Sequence, residues 1–130
     1  MTNDNDITKF KIDQMKALSR EITLDSITSL AQSIYTENTN KGFWEGGPEK
    51  ANIPEKIALM HSELSEALEA YRANSNDDKL TEYKGLDVEL ADTVIRIFDF
   101  CGAYNIPIGK LIGLKLDYNK SRPYKHGKVC

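Results

Sequence analysis

Apolar residues recur along this chain at helical spacing. Ile57, Met60, Leu64, Leu68 and Tyr71 form one stripe, and Pro54 suits the opening of that helix, where its missing N–H costs nothing. The stripe ends near Ala73, and Asn74 to Asp78 reads as a loop. From about Gly85, the residues Leu86, Leu90, Val94, Ile97, Phe98 and Cys101 make a second stripe that stops before Asn105-Ile106-Pro107. A last helix is expected from Pro107 to about Lys120 on Ile108, Leu111, Ile112 and Leu116, with Arg122-Pro123 ending it. Upstream, Ile27, Leu30, Ala31, Ile34 and Tyr35 follow Asp25, which reads as an N-cap. Before it, Ile7, Phe10, Met15 and Leu18 suggest a further helix to about Glu21. Residues 41–53, KGFWEGGPEKANI, form a glycine-rich loop after the turn-prone Asn38-Thr39-Asn40. Alternations such as Phe10-Lys11-Ile12 are too brief for strands. The pattern predicts an all-α bundle of four or five helices, with residues 1–24 as an N-terminal extension and 25–130 as a single domain.

Composition narrows the function classes. With 130 residues, 40% hydrophobic and 28% charged, the chain has the make-up of one soluble globular domain. No apolar run approaches the roughly 18 residues of a membrane span, so no membrane partner is expected. Met1 to Lys11 is polar and acid-bearing, unlike a secretory leader. A net charge of −3 argues against a nucleic-acid surface. Cys101 and Cys130 make no disulfide framework; Cys101 lies on an apolar face and reads as a small core residue. A cytoplasmic setting is expected on that ground.

The candidate chemistry is carboxylate. Glu63 and Glu66 are three residues apart on one helix, and Glu89 and Asp92 are three apart on the next. That spacing puts each pair on one side of its helix, beside the apolar stripe. Arg96 and Asp99 extend the second acidic face. If the two stripes pack antiparallel, the pairs meet at one edge, where four carboxylates repel and raise one another's pKa values. A divalent cation removes that conflict, and oxygen-only ligation suits Mg²⁺ or Mn²⁺. A di-iron bundle would want Glu-x-x-His, which His61, two residues before Glu63, does not supply. Acid pairs on helices are also common as solvated faces.

The stretch KIALMHSELSEALEAYR, from Lys56 to Arg72, followed by Glu89-Leu-Ala-Asp92, resembles the MazG-like all-α nucleotide pyrophosphohydrolases, whose pattern is Glu-x-x-Glu, a spacer and Glu-x-x-Asp. Here the spacer is 22 residues, Ala67 to Val88, and the resemblance covers about Gly42 to Lys125. It implies that Glu63, Glu66, Glu89 and Asp92 hold Mg²⁺, with Mn²⁺ as an alternative, and that Glu63 or Glu66 takes the proton of the attacking water. It further implies that Lys115, Asn119, Arg122 and Tyr124 grip the substrate's phosphates, that the Gly42-Phe43-Trp44 loop lies over the nucleotide, and that Lys56 and Arg96 contact substrate. The activity so implied converts a nucleoside or deoxynucleoside triphosphate to the monophosphate and pyrophosphate, as in house-cleaning or control of the dNTP pool. A homodimer or homotetramer is the expected assembly.

Each residue also has a plainer reading. Lys115, Lys120, Arg122, Lys125 and Lys128 read equally as a basic, solvated tail. Trp44 reads as a core plug or as a stacking platform. Arg96 pairs with Asp92 or Asp99 on its own helix, or faces the base. Two other functions compete: phosphoribosyl-ATP pyrophosphohydrolysis, and a non-catalytic helical bundle that binds nucleotide or a partner protein.

Overall fold

A computed structural model describes residues 3–127. Cys130 and Lys128 lie outside the described residues. Among the described residues the regular elements are helices and no strand forms: α1 spans Asp4–Asn40, α2 Ile53–Ala73, α3 Gly85–Ala103 and α4 Ile108–Lys120. Short 3₁₀ turns at Pro48–Lys50 and Tyr124–Gly127 complete the order. The all-α expectation holds. None of these helices is long and apolar enough to cross a membrane.

The helix start expected at Asp25 does not occur, because α1 runs through it unbroken. No glycine or proline interrupts the sequence between Asn3 and Lys41. The polar residues flanking Asp25 are satisfied inside the helix. The Thr23 hydroxyl donates to the Ser19 carbonyl at 2.9 Å and the Ser26 hydroxyl to that of Ile22 at 2.8 Å, four residues back in each case.

The chain divides into two compact units, one of residues up to Ser29 and from Pro107 onward, the other Leu30–Ile106. In the first, α4 lies hard against α1. A Cβ on Gly109 would sit 1.7 Å from the Leu24 carbonyl oxygen, so only glycine allows this approach. The Gly109 N–H donates to the Thr28 hydroxyl at 3.0 Å, which supplies α1's side chain as a cap for α4. Arg20 donates to Asp117 at 2.8 Å and to the Gly113 carbonyl at 3.1 Å. The apolar residues that suggested the first helix, Phe10, Met15 and Leu18, are exposed.

In the second unit α2 and α3 pack as an antiparallel hairpin: Gly85 sits against Ala70, and Arg96 reaches Glu63. The loop between them is closed by an Asn76–Lys84 bridge. Asn52 caps α2 by accepting from the Glu55 N–H at 3.1 Å, and Asn74 ends the helix in the left-handed conformation, φ 47°. The last turns of α1 meet α3 at Gly102, where a Cβ would lie 2.5 Å from the Ala31 carbonyl oxygen. Small residues, Ala31, Ala67, Cys101 and Ala103, therefore make the core, with Trp44 the one large apolar side chain buried there among the described residues. Burial pushes the Cys101 thiol pKa up, as a small core residue requires. Helices that meet through small residues leave their larger neighbours protruding: Leu64, Leu68, Leu90 and Val94 are each 46–47% exposed.

Candidate functional site

The α2–α3 hairpin fixes the acids. Glu63 faces α3 from within α2 and is buried, at 8% exposure. One carboxylate oxygen each from Glu63, Glu89 and Asp92 lies within 4.8 Å of the others. Two acids three residues apart on α3 thus meet one acid of α2, as the i, i+3 spacing allows. Glu66 is exposed on the next turn of α2 and is not one of the three that converge; its carboxyl interacts with that of Glu63.

The electrostatics of the group are uneven. Burial alone would raise the Glu63 pKa, but the hydrogen bond and positive charge of Arg96 outweigh it and hold the carboxyl below its ordinary value. Glu66 is raised, chiefly by hydrogen bonding to Glu63 and by that residue's charge. Glu89 is pushed up to about 7 by burial, by a hydrogen bond to Glu63 and by the charges of Glu66, Glu63 and Asp92. With Arg96 engaged by Glu63, the neighbouring carboxyls of Glu66 and Glu89 hold their protons more tightly.

Arg96 pairs neither with Asp92 nor with Asp99. Its Nε donates across the hairpin to Glu63 Oε1. A cavity of about 320 Å³ opens beside this pair, lined by Asn38, Phe43, Lys56, Glu63, Asp92, Ile95, Arg96 and Asp99. Asn38 was legible in the sequence only as a turn residue, and Phe43 only through the resemblance of the Gly42-Phe43-Trp44 loop; nothing in their spacing marks them as cavity lining. Phe43 is 66% exposed. His61 is exposed and offers no ligand to the acids.

Trp44 is a core plug. It is 5% exposed, with Tyr35 and Tyr104 edge-on to its ring at 5.6 and 6.0 Å between centroids. Its indole N–H donates to both Asp99 oxygens at 3.0 and 3.1 Å. Lys56 Nζ lies 4.1 Å from the ring centroid. A base cannot stack on a ring so enclosed, which corrects the platform reading. Tyr104 donates its hydroxyl to the Pro48 carbonyl at 2.9 Å and holds the other end of the same loop.

The remaining predicted contacts belong to the α4 unit. Lys115 Nζ lies 4.8 Å and the Arg122 guanidinium 5.9 Å from the centroid of the Tyr118 ring. Asn119 is half-buried, and Tyr124 is 88% exposed.

Comparison with protein-family models, with curated proteins and with solved structures finds no match to this chain.

Proposed function

We propose that the α2–α3 hairpin is the active site of a divalent-cation-dependent pyrophosphohydrolase, which cleaves a nucleoside or deoxynucleoside triphosphate to the monophosphate and pyrophosphate. The observation that carries this reading is the meeting of Glu63, Glu89 and Asp92 within 4.8 Å beside an open cavity. The donor set fits a hard cation. It is all oxygen, and Glu63, Glu89 and Asp92 would be the residues that hold the ion. Mg²⁺ or Mn²⁺ bound there supplies neutralisation of phosphate charge and an acidified water.

The chain's own residues divide the remaining work. Glu63, tied to Arg96 and held below its ordinary pKa, is a poor proton acceptor. Glu66 is exposed, raised and adjacent, which favours it as the general base. Phe43, open on the cavity wall, takes the role against the nucleotide that the buried Trp44 cannot. Lys115, Asn119, Arg122 and Tyr124 remain the candidates for phosphate contact, with Lys115 and Arg122 as the charge-balancing pair.

A homo-oligomer is part of this reading. It is supported by the half-exposed leucines of α2 and α3 and by the absence, among the described residues, of any large side chain buried below 2% exposure. A cytoplasmic setting accords with the free thiol of Cys101.

The test is incubation of the purified protein with Mg²⁺ and a panel of NTPs, dNTPs and modified triphosphates, following pyrophosphate against orthophosphate. Pyrophosphate as first product is expected. Orthophosphate first would point to another phosphohydrolase, and no turnover of any triphosphate would leave a binding module.

A further inference from the structure

We infer that Arg96 is the internal counter-ion of the acidic trio, displaced from Glu63 when a divalent cation arrives and thereby freed to meet the phosphate chain. This inference rests on the metal reading of the preceding section and adds to it how the site holds itself ready.

The geometry is specific. Arg96 sits on α3, one turn beyond Asp92, yet its Nε reaches across to Glu63 Oε1 on α2. It bypasses Asp92 and Asp99, the acids nearest to it in sequence. The acid it selects is the buried one, where an unpaired carboxylate is most costly. Lys56, the cavity's other cation, stands over the Trp44 ring.

The contact also leaves most of the guanidinium unused. Arg96 donates through Nε alone, and neither terminal amino group has a hydrogen-bond partner among the described residues. Its side chain is 41% exposed and borders the cavity. A guanidinium carries five donors in a fixed fork that matches a phosphate. Here one donor is spent on Glu63 and four are free beside the space a triphosphate would enter.

Guanidinium and divalent cation compete for the same carboxylate, and each repels the other across a few ångströms. Arg96 therefore yields Glu63 as the site fills. Its long stem lets the fork swing into the cavity without movement of α3. The same residue so neutralises the vacant site and serves the loaded one.

The test is a titration of metal-free protein with Mn²⁺ at pH 8, read by the electron paramagnetic resonance of the free ion. Arg96→Gln removes the competitor and keeps a polar side chain. It is expected to bind Mn²⁺ about tenfold more tightly than wild type, equivalent to about 1.4 kcal/mol. Arg96→Lys keeps the charge and should stay within about twofold of wild type. Lys56→Gln, which removes a cation not paired with Glu63, should change affinity less than Arg96→Gln does. Unchanged or weaker binding by Arg96→Gln would overturn the inference while leaving the metal site standing. If wild type binds no Mn²⁺, the metal reading falls and this one with it. A second measurement needs no variant: the Arg96 Nε–H resonance of ¹⁵N-labelled wild type should be protected from exchange without metal and lose that protection at saturating Mg²⁺. Protection that persists would overturn the displacement. With Mg²⁺ saturating, Arg96→Gln should turn over triphosphate at least about tenfold more slowly despite its fuller metal site; equal turnover would overturn the phosphate half of the inference.

Discussion

Trp44 and Asp99 are joined by an indole N–H that lies 3.0 and 3.1 Å from the two carboxylate oxygens. Asp99 also lines the cavity beside the acidic trio, so a single carboxylate ties the glycine-rich loop to the helix that carries Glu89, Asp92 and Arg96. Trp44→Phe keeps an apolar ring and deletes the donor. It should lower stability by about 1–3 kcal/mol in urea denaturation followed by circular dichroism, since it strands a half-buried acceptor. Asp99→Asn retains an oxygen that accepts from the indole and should cost less. Equal losses would show that the indole bond does not set the difference between the two variants.

Glycine at position 102 is a steric necessity. Gly102→Ala places a methyl 2.5 Å from the Ala31 carbonyl oxygen and from Tyr35 Cβ. The expected net loss is about 1–3 kcal/mol, even though alanine is the better helix former by about 1 kcal/mol. At Gly113 the nearest obstacle is the end of the Leu24 side chain, which can turn aside, so Gly113→Ala should cost less. Thermal melts of the two variants check the order.

Glu89 titrates near 7 where an ordinary glutamate titrates at 4.5, so the metal-free folded protein keeps a proton that the unfolded chain has already lost. Its contribution to stability is fully present below 4.5, declines as pH rises through 7, and is constant above. Glu63 has the opposite sign: its pKa is lowered, and its contribution is lost as pH falls below the ordinary value. Metal-free protein should therefore melt at a lower temperature at pH 8 than at pH 5.5, with Glu89→Gln removing most of that difference. Cation affinity should run the other way, rising with pH up to about 7 as the competing proton leaves.

Glu66 and Glu89 separate proton transfer from ligation. Glu66→Gln should reduce turnover by about 10²–10⁴-fold with helicity intact and Mn²⁺ affinity little changed. Glu89→Gln should weaken Mn²⁺ binding about 10–100-fold and lose turnover as a consequence. Wild-type turnover in Glu66→Gln would remove its assignment as the base.

Much of the second unit was legible in the sequence because its signals are local. Pro54, Asn74, Gly85 and Asn105-Ile106-Pro107 mark the ends of α2 and α3 within a residue or two of where they fall. The i, i+3 acid pairs could be placed on one face each before any packing was known. What was hidden depends on contacts distant in sequence. Arg96 has acids at hand on its own helix, and only the depth of Glu63 decides which of them it joins. Trp44 between flexible residues looks mobile until Tyr35, Tyr104 and Asp99 close round it. The uninterrupted α1 was missed for a different reason: Thr23, Asp25 and Ser26 favour caps and helix interiors by the same hydrogen-bonding capacity, and spacing does not say which use prevails.

Cys101 gives this molecule a built-in gauge of its own breathing. The residue is 5% exposed, burial raises its thiol pKa, and it lies on α3 one position from the glycine that meets α1. An alkylating reagent reaches it only while that seam is parted, so the rate at which the thiol is consumed counts openings of the scaffold beneath the acids. A cation that braces the hairpin would slow that clock without touching the sulfur.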